Sequence, residues 1–367
     1  MKGFKNIISL TGILAVLVAC NGDDKPRHQG NDPIIANSSR SYIASPNGGS
    51  QVSVGTKVKL ELSLRNPATE TDSVYFFVDQ HLVYSTAGKN NAYSFELSTD
   101  SLSLGKKSMK TVLVSSKGER EEQVSHFYLI SDIEPAQYTY QVINTYPHDP
   151  EAYTQGLIID NGTMYEGTGL EGKSELRIVD RYTGKIQKQL KLDNQYFGEG
   201  ITILGDKLYQ LTYRSKKGFV YNKKTFEKTG EFNYDTEGWG LTTDGKSIIY
   251  SDGSNKLYFL NPESLEKTKT IEVYNNKGPQ NLINELEYIN GEIWANIYQT
   301  NTVVRIDPSN GKITGEISFT DILKAEDMHP RIDVLNGIAF DPSNGKIYVT
   351  GKNYPKLWEV KIVKTEI

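Results

Sequence analysis

Tyr153-Thr-Gln-Gly-Leu157 is the first of five related segments, and their recurrence decides the fold. The core triplet Gln155-Gly156-Leu157 returns as Glu199-Gly200-Ile201, Trp239-Gly240-Leu241, Asn284-Glu285-Leu286 and Asn336-Gly337-Ile338. The second residues stand 44, 40, 45 and 52 positions apart. After each triplet comes a turn and then a strand-like pair with an aromatic: Met164-Tyr165, Leu208-Tyr209, Ile249-Tyr250, Ile293-Trp294 and Ile347-Tyr348. A third run ends in Asp or Asn at Asp180, Asn222, Asn261 and Asp307, and turns such as Thr183-Gly-Lys185 and Ser309-Asn-Gly-Lys312 follow. A fourth strand closes each unit. Four strands per roughly 44 residues is the period of a propeller blade, so five starts predict a five-bladed β-propeller over residues 137–367. The last unit stops after Leu357-Trp-Glu-Val-Lys-Ile-Val363, one strand short. The alternating run Tyr138 to Tyr146 precedes the first unit and is expected to supply that strand, closing the ring and removing its open edges.

Residues 41–133 show a different pattern. Val52-Ser-Val54, Val58 to Leu64, Val74 to Val78, Tyr93 to Leu97, Met109 to Val114 and Val124 to Ile130 are short alternating or apolar runs broken by turn residues. About seven strands in some 90 residues predict a small β-sandwich. Leu104 to Gly118 resembles the last hairpin of a bacterial immunoglobulin-like module, and a spacer or adhesion role is expected for it. The fold class is therefore all-β: a five-bladed propeller preceded by an immunoglobulin-like sandwich. Residues 21–40 are polar and contain Pro26, Pro33, Gly22 and Gly30, so they read as a tether. Ahead of them, Lys2 and Lys5 lead into an apolar run from Ile7 to Ala19 that is too short to span a bilayer. That run ends in Leu17-Val-Ala-Cys20 and reads as a secretory leader. It resembles a bacterial lipoprotein signal, 1–20, in which Cys20 is lipidated. The expected location is the outer membrane, on its periplasmic or cell-surface side, with the lipid at Cys20 as the membrane anchor.

Composition agrees and excludes other classes. The chain has 367 residues, 23 of them Tyr and 32 Gly, a balance that suits pleated strands and tight turns. A net charge of -4 argues against a nucleic-acid partner. With Cys20 the single cysteine, neither an internal disulfide nor a cysteine-ligated metal can form. The five histidines, 28, 81, 126, 148 and 329, form no paired ligand motif, so no catalytic metal and no catalytic cofactor are expected. A structural cation held by backbone carbonyls in the channel leaves no mark in a sequence. A monomer is expected.

In a propeller the first strand of each blade lines the channel, so the triplets converge on one mouth. The convergent set is Tyr153, Gln155, Phe197, Glu199, Trp239, Asn284, Glu285 and Asn336. A purely structural repeat would keep one residue type at equivalent positions. Here Gln, Glu, Trp, Asn and Asn alternate, as a binding site requires.

The ordered series Tyr153-Thr-Gln-Gly-Leu157, Tyr165-Glu-Gly-Thr-Gly169, Phe197-Gly-Glu-Gly-Ile201, Glu237-Gly-Trp-Gly-Leu241, Leu282-Ile-Asn-Glu-Leu-Glu287, Trp294-Ala-Asn-Ile-Tyr298, Leu335-Asn-Gly-Ile338 and Thr350-Gly-Lys-Asn-Tyr-Pro355 resembles the motif series of plant-type glutaminyl cyclases. The resemblance covers about residues 137–363. It implies conversion of an N-terminal glutamine to pyroglutamate with loss of ammonia, on peptides or proteins that begin with glutamine. That reaction needs a group that takes a proton from the attacking amine and returns one to the leaving ammonia. It also needs donors for the oxyanion and a pocket that folds the substrate back on itself. By the resemblance Glu199 is the shuttle, Lys352 a donor to the oxyanion or a carbonyl, and Gln155 and Asn284 grip the substrate. Trp239, Phe197 and Tyr153 form apolar walls. Tyr213 and Tyr298 stand where the family often has Trp, and Tyr153 where Phe is usual, which bears on substrate preference. Glu285, Glu287 and Asn336 are expected to be structural, and Asn296, Gln299 and Asn301 to cap strands or turns. The competing expectation is a non-catalytic surface propeller that binds peptide or glycan.

Overall fold

A computed structural model describes residues 39–65 and 71–365. The described chain is β-structure throughout, apart from one 3-10 turn at Ala325–Asp327. The expected leader, Cys20 and most of the tether lie outside the described residues.

The N-terminal strands are β1 (Ser41–Ser45), β2 (Gln51–Ser53), β3 (Lys57–Leu64), β4 (Thr71–Val78), β5 (His81–Ala87), β6 (Ala92–Ser98), β7 (Gly105–Ser115) and β8 (Arg120–Ile130). They form a three-stranded sheet, β1-β3-β6, and a five-stranded sheet, β2-β8-β7-β4-β5. In β3 the alternation buries Val58, Leu60 and Leu62 while Lys57 and Lys59 face water. Those side chains meet Val74, Phe76, Met109, Phe127 and Leu129 in one apolar cluster. Each such side chain contributes about 1.5–3 kcal/mol by leaving water. The expected hairpin is β7-β8. Strands β1 and β5 were not expected, and β5 is only partly buried, at neighbouring Val83 and Tyr84, so its sequence carries no clean alternation.

From β9 (Ala136–Pro147) onward the chain forms repeated meanders. The first is β10 (Thr154–Asp160), β11 (Thr163–Thr168), β12 (Glu175–Val179) and β13 (Ile186–Lys191). The second is β14 (Gly198–Leu204), β15 (Lys207–Thr212), β16 (Lys217–Asn222) and β17 (Lys228–Asn233). The third is β18 (Leu241–Thr243), β19 (Ile248–Ser251), β20 (Lys256–Leu260) and β21 (Lys267–Glu272). A small hairpin, β22 (Tyr274–Asn275) and β23 (Gly278–Pro279), follows. Its Tyr274 packs on Val54 and Leu104 of the N-terminal strands. Then come β24 (Ile283–Ile289), β25 (Glu292–Ile297), β26 (Thr302–Ile306) and β27 (Ile313–Ser318), and last β28 (Leu335–Asp341), β29 (Lys346–Gly351) and β30 (Lys356–Lys364).

Strand β9 takes the place expected of it, antiparallel to β30 as the fourth strand of the last meander. It also pairs in parallel with β27 through Ala136 to Tyr138, which joins two meanders into one eight-stranded sheet. The first strands β10, β14, β18, β24 and β28 touch in cyclic order, so the sheets are arranged like a propeller. Burial grades outward: β10 and β14 are almost wholly buried, β13 and β17 largely exposed.

The recurrent glycine of the triplet explains how the first strands pack so closely. A Cβ on Gly240 would lie 1.9 Å from the Asn284 carbonyl oxygen, and one on Gly200 only 2.5 Å from the Leu241 nitrogen. No other residue fits there. In the fourth meander Glu285 replaces the glycine and works differently. Its carboxyl oxygens accept the backbone N–H groups of Leu157 (3.2 Å) and Ile338 (3.0 Å), tying the fourth meander to the first and fifth. Burial pushes its pKa up to about 8 against the pull of those two N–H groups.

The strand closure is locked by His148, which follows β9. Its backbone N–H donates to Pro355 O (2.9 Å), its Nδ1 to Tyr354 O (2.7 Å) and its Nε2 to Glu166 Oε1 in β11 (2.9 Å). Both ring nitrogens face acceptors, so the ring is an imidazolium. Burial alone would lower its pKa, but the Glu166 carboxylate outweighs that and the net shift is upward. The stabilisation is therefore fully present below the unfolded value of about 6.5 and is lost as pH rises through the higher folded value. His148→Gln should lower the unfolding temperature by several degrees at pH 6, equivalent to about 2 kcal/mol. The gap to the parent should narrow by pH 9, and melting curves recorded across that range by circular dichroism would show a constant gap if the ring were neutral.

Candidate active site

Four of the five first strands carry a register shift at the triplet: between Thr154 and Gly156, Gly198 and Ile201, Ile283 and Leu286, and Leu335 and Ile338. Such bulges re-aim side chains, and here they turn Gln155, Glu199 and Asn284 toward the mouth. The second set of lining residues sits just past the second strand of a meander: Tyr213 after β15, Tyr298 after β25 and Lys352 after β29. Together Tyr153, Gln155, Phe197, Glu199, Tyr213, Trp239, Asn284, Tyr298 and Lys352 line one cavity of about 200 Å³. All nine residues singled out from the sequence for catalysis and substrate binding are thus brought together.

The walls form a closed belt. Tyr153 meets Phe197 edge-on (6.1 Å between centroids), Phe197 meets Tyr213 (5.7 Å), Tyr213 meets Trp239 (6.3 Å) and Trp239 meets Tyr298 edge-on (5.4 Å). The Lys352 ammonium fills the gap between the two ends, 4.9 Å from the ring centroids of both Tyr153 and Tyr298. Such a position over two aromatic faces favours the cation.

Glu199 and Lys352 are 4% and 3% exposed. Among the described residues neither side chain makes a hydrogen bond or an ion pair within 4.0 Å. Burial pushes the Glu199 carboxyl well above its usual range, with the Lys352 charge opposing and Glu237 adding to the rise. Burial likewise pulls Lys352 below its usual range, with Glu199 and Asp333 opposing. A raised acid and a lowered base in one small cavity are the features of a proton-transfer site.

The polar amides are set by neighbours. Asn336 Nδ2 donates to Gln155 Oε1 (3.1 Å) and to Thr154 O (2.9 Å), which leaves the Gln155 Nε2 group as the free donor. Asn284 Oδ1 is buried without a partner. Glu287 accepts the Phe340 N–H (2.9 Å), so it joins meanders, like Glu285. Asn296, expected to cap a strand or turn, instead reaches across to accept the Gly337 N–H (3.1 Å). Gln299 is a turn residue with φ 64°, and the Asn301 carbonyl accepts the Phe319 N–H.

Three rim residues were not anticipated. Glu237 accepts from Trp239 Nε1 (3.1 Å) and pairs with Arg214 (3.1 Å), whose Nη2 donates to the Tyr213 hydroxyl (3.2 Å). Asp333 accepts from the Tyr153 hydroxyl (2.7 Å). Glu237 lay inside a quoted motif. Asp333 lies in the long connection that stretches the last repeat spacing to 52, where no counterpart in the other repeats points to it. Among the described residues, no group of three or more His, Cys, Asp or Glu is placed to hold a metal ion.

Comparison with known proteins follows the same division of the chain. Residues 110–362 match the glutamine cyclotransferase family and residues 42–110 match a bacterial Ig domain. A glutaminyl-peptide cyclotransferase of Arabidopsis thaliana is 44% identical over 227 residues, 60% of this chain and 71% of the plant protein. The crystal structure of Myxococcus xanthus glutaminyl cyclase superposes with a TM-score of 0.60 at 33% identity, over 64% of this chain and all of that one. An all-β chain with a propeller-like sheet arrangement behind an Ig-like domain, it belongs to the glutamine cyclotransferase family.

Proposed function

We propose that this protein is a glutaminyl-peptide cyclotransferase in which Glu199 moves the protons and Lys352 holds the developing oxyanion. The observation that carries the reading is the unpartnered, buried pair Glu199 and Lys352 inside the aromatic belt. The α-amine of an N-terminal glutamine attacks its own side-chain carboxamide carbon. As the N–C bond forms, Glu199 takes a proton from the amine and the carbonyl electrons move to oxygen. Lys352 donates to that oxyanion, and Gln155 Nε2 is placed to donate to a substrate carbonyl. When the carbonyl re-forms, Glu199 returns its proton to the leaving nitrogen, and ammonia departs. A raised carboxyl pKa suits this work, since the same group must act as base and then as acid near neutral pH. A carboxylate and an ammonium supply every proton and charge the cyclisation needs, so we infer that it runs without a metal.

The cavity, about 200 Å³, is smaller than the roughly 300–1,000 Å³ of pockets for drug-sized ligands. One folded-back glutamine residue enters and the rest of the peptide stays outside. We further infer five blades at residues 137–367, a reading supported by the cyclic contact of the five first strands and the pairing of β9 with β30. The division of the rest into a leader at 1–20, a tether at 21–40 and a sandwich at 41–133 is proposed with it. The leader is a lipoprotein signal, Cys20 carries the anchor, the location is the outer membrane, and the protein acts as a monomer.

The test is ammonia release from glutaminyl-glycine. Glu199→Gln should lower kcat by a factor of about 10²–10⁴, and a chelator should leave the parent rate unchanged. A well-folded parent that releases no ammonia from several glutamine peptides would instead favour a peptide- or glycan-binding propeller. The pH dependence of kcat/KM has a worked sign. It should rise as Glu199 ionises and fall as Lys352 loses its proton, giving a bell narrowed from both sides. Lys352→Met should remove the alkaline limb and cost about 10²–10³ in kcat; an unaltered alkaline limb would exclude Lys352 as its source. For the anchor, metabolic labelling with a radioactive fatty acid should mark the parent and fail to mark Cys20→Ser.

A further inference from the structure

We infer that Asp333 is a positioning residue that holds Lys352 in its place opposite Glu199, acting through Tyr153 and through the backbone. The inference rests on the cyclotransferase reading of the cavity.

Two independent links join Asp333 to Lys352. The first is the backbone: Asp333 N–H donates to Lys352 O (3.1 Å), and Lys352 N–H donates to Val334 O (2.9 Å). This two-way pairing fixes the connection ahead of β28 to the turn after β29. The second runs through a side chain. The Tyr153 hydroxyl donates to Asp333 Oδ2 (2.7 Å), a charge-assisted bond that pins the far end of the ring. The ring's edge contact with Phe197 pins its side. Tyr153 then presents one face to the Lys352 ammonium, and Tyr298 presents the other wall of the slot. Among the described residues the ammonium makes no ion pair, so this slot sets where it points. If the Tyr153 ring swings outward, the slot opens.

The charge of Asp333 matters as well as its grip. The charged and titratable groups that face Lys352 are Glu199 from β14, Asp333, and the phenols of Tyr153 and Tyr298. Glu199 changes its charge during each turnover. Asp333, exposed at the rim, stands outside that exchange and favours the ammonium form of Lys352. A neutral residue at 333 should make Lys352 lose its proton at lower pH.

The experiment compares Asp333→Asn, Asp333→Glu, Tyr153→Phe and the double variant Tyr153→Phe/Asp333→Asn, each checked for parental melting behaviour. Asp333→Asn should lower kcat roughly tenfold, the scale expected when a catalytic group is displaced by a fraction of an ångström. KM should change less than kcat, and the alkaline limb of the pH profile should move down by about half a unit or more. Tyr153→Phe should lower kcat while leaving that limb near its parental position, because the carboxylate remains. Asp333→Glu should recover part of the rate. The double variant should be little worse than the poorer single variant, since the two changes cut one chain of contacts. A readout that needs no turnover separates this inference from the proposed activity. Acetic anhydride labelling of Lys352, followed by mass spectrometry across pH, gives its ionisation curve directly, and Asp333→Asn should shift it to lower pH. An unshifted labelling curve together with parental kcat in Asp333→Asn would overturn the inference. Fully additive losses in the double variant would remove the Tyr153 link.

Discussion

Everything in the second half of the molecule depends on how closely the first strands approach one another. At Gly240 the neighbouring backbone comes so near that a methyl group would overlap the Asn284 carbonyl. Convergence of several strands on one axis leaves no room for side chains at their inner ends, so the second residue of each triplet is glycine or, once, a glutamate whose carboxyl replaces water for two N–H groups. The same crowding breaks the ladder register there, and the bulges that result are what turn Gln155, Glu199 and Asn284 into the mouth. The site is a by-product of closing the ring.

Convergence also sets the electrostatics. A carboxyl and an amine placed on a dense, converging backbone lose most of their hydration, and each loses more than a charge partner at a distance returns. That is why Glu199 moves up and Lys352 moves down although each favours the other's charged form. A contact ion pair would satisfy both and leave neither free to act. The aromatic belt surrounds both groups, and its edge-on contacts fix the walls around them. His148 and Glu166 are arranged in the opposite way: in contact with each other and hydrogen-bonded to their neighbours, they hold the closure.

The repeat was legible because the crowding at the axis can be met in so few ways. A glycine in four of the five triplets, followed each time by Leu or Ile, is a geometric demand written directly in the sequence. The mouth residues were legible for the same reason, since position within the repeat fixes position in space. What could not be read lies off the repeat. Strand β5 is only partly buried, at neighbouring Val83 and Tyr84, so it carries no clean alternation. The parallel pairing of β27 with β9 follows from the path of the linker and not from any residue pattern. Asp333 sits in an irregular connection, where spacing says nothing about neighbours. Asn296 was assigned to its own strand because sequence shows only near neighbours, while its partner Gly337 belongs to the next meander.

The rim shows how substrate choice can be separated from chemistry. The belt contains three phenols, at Tyr153, Tyr213 and Tyr298, and two of them are committed outward: Tyr153 to Asp333 and Tyr213 to Arg214. Trp239 is held likewise through Glu237. The polar ends of Tyr153, Tyr213 and Trp239 are therefore spent on charged rim groups, and these three walls turn apolar faces to the cavity. The interior presents aromatic surface together with Glu199, Lys352, Gln155 and Asn284. A peptide chain leaving the cavity would meet Asp333, Glu237 and Arg214 at the rim, where ion pairs with a mobile, hydrated chain are screened and worth little. On the proposed function, a site built this way discriminates steeply at the first residue and weakly after it.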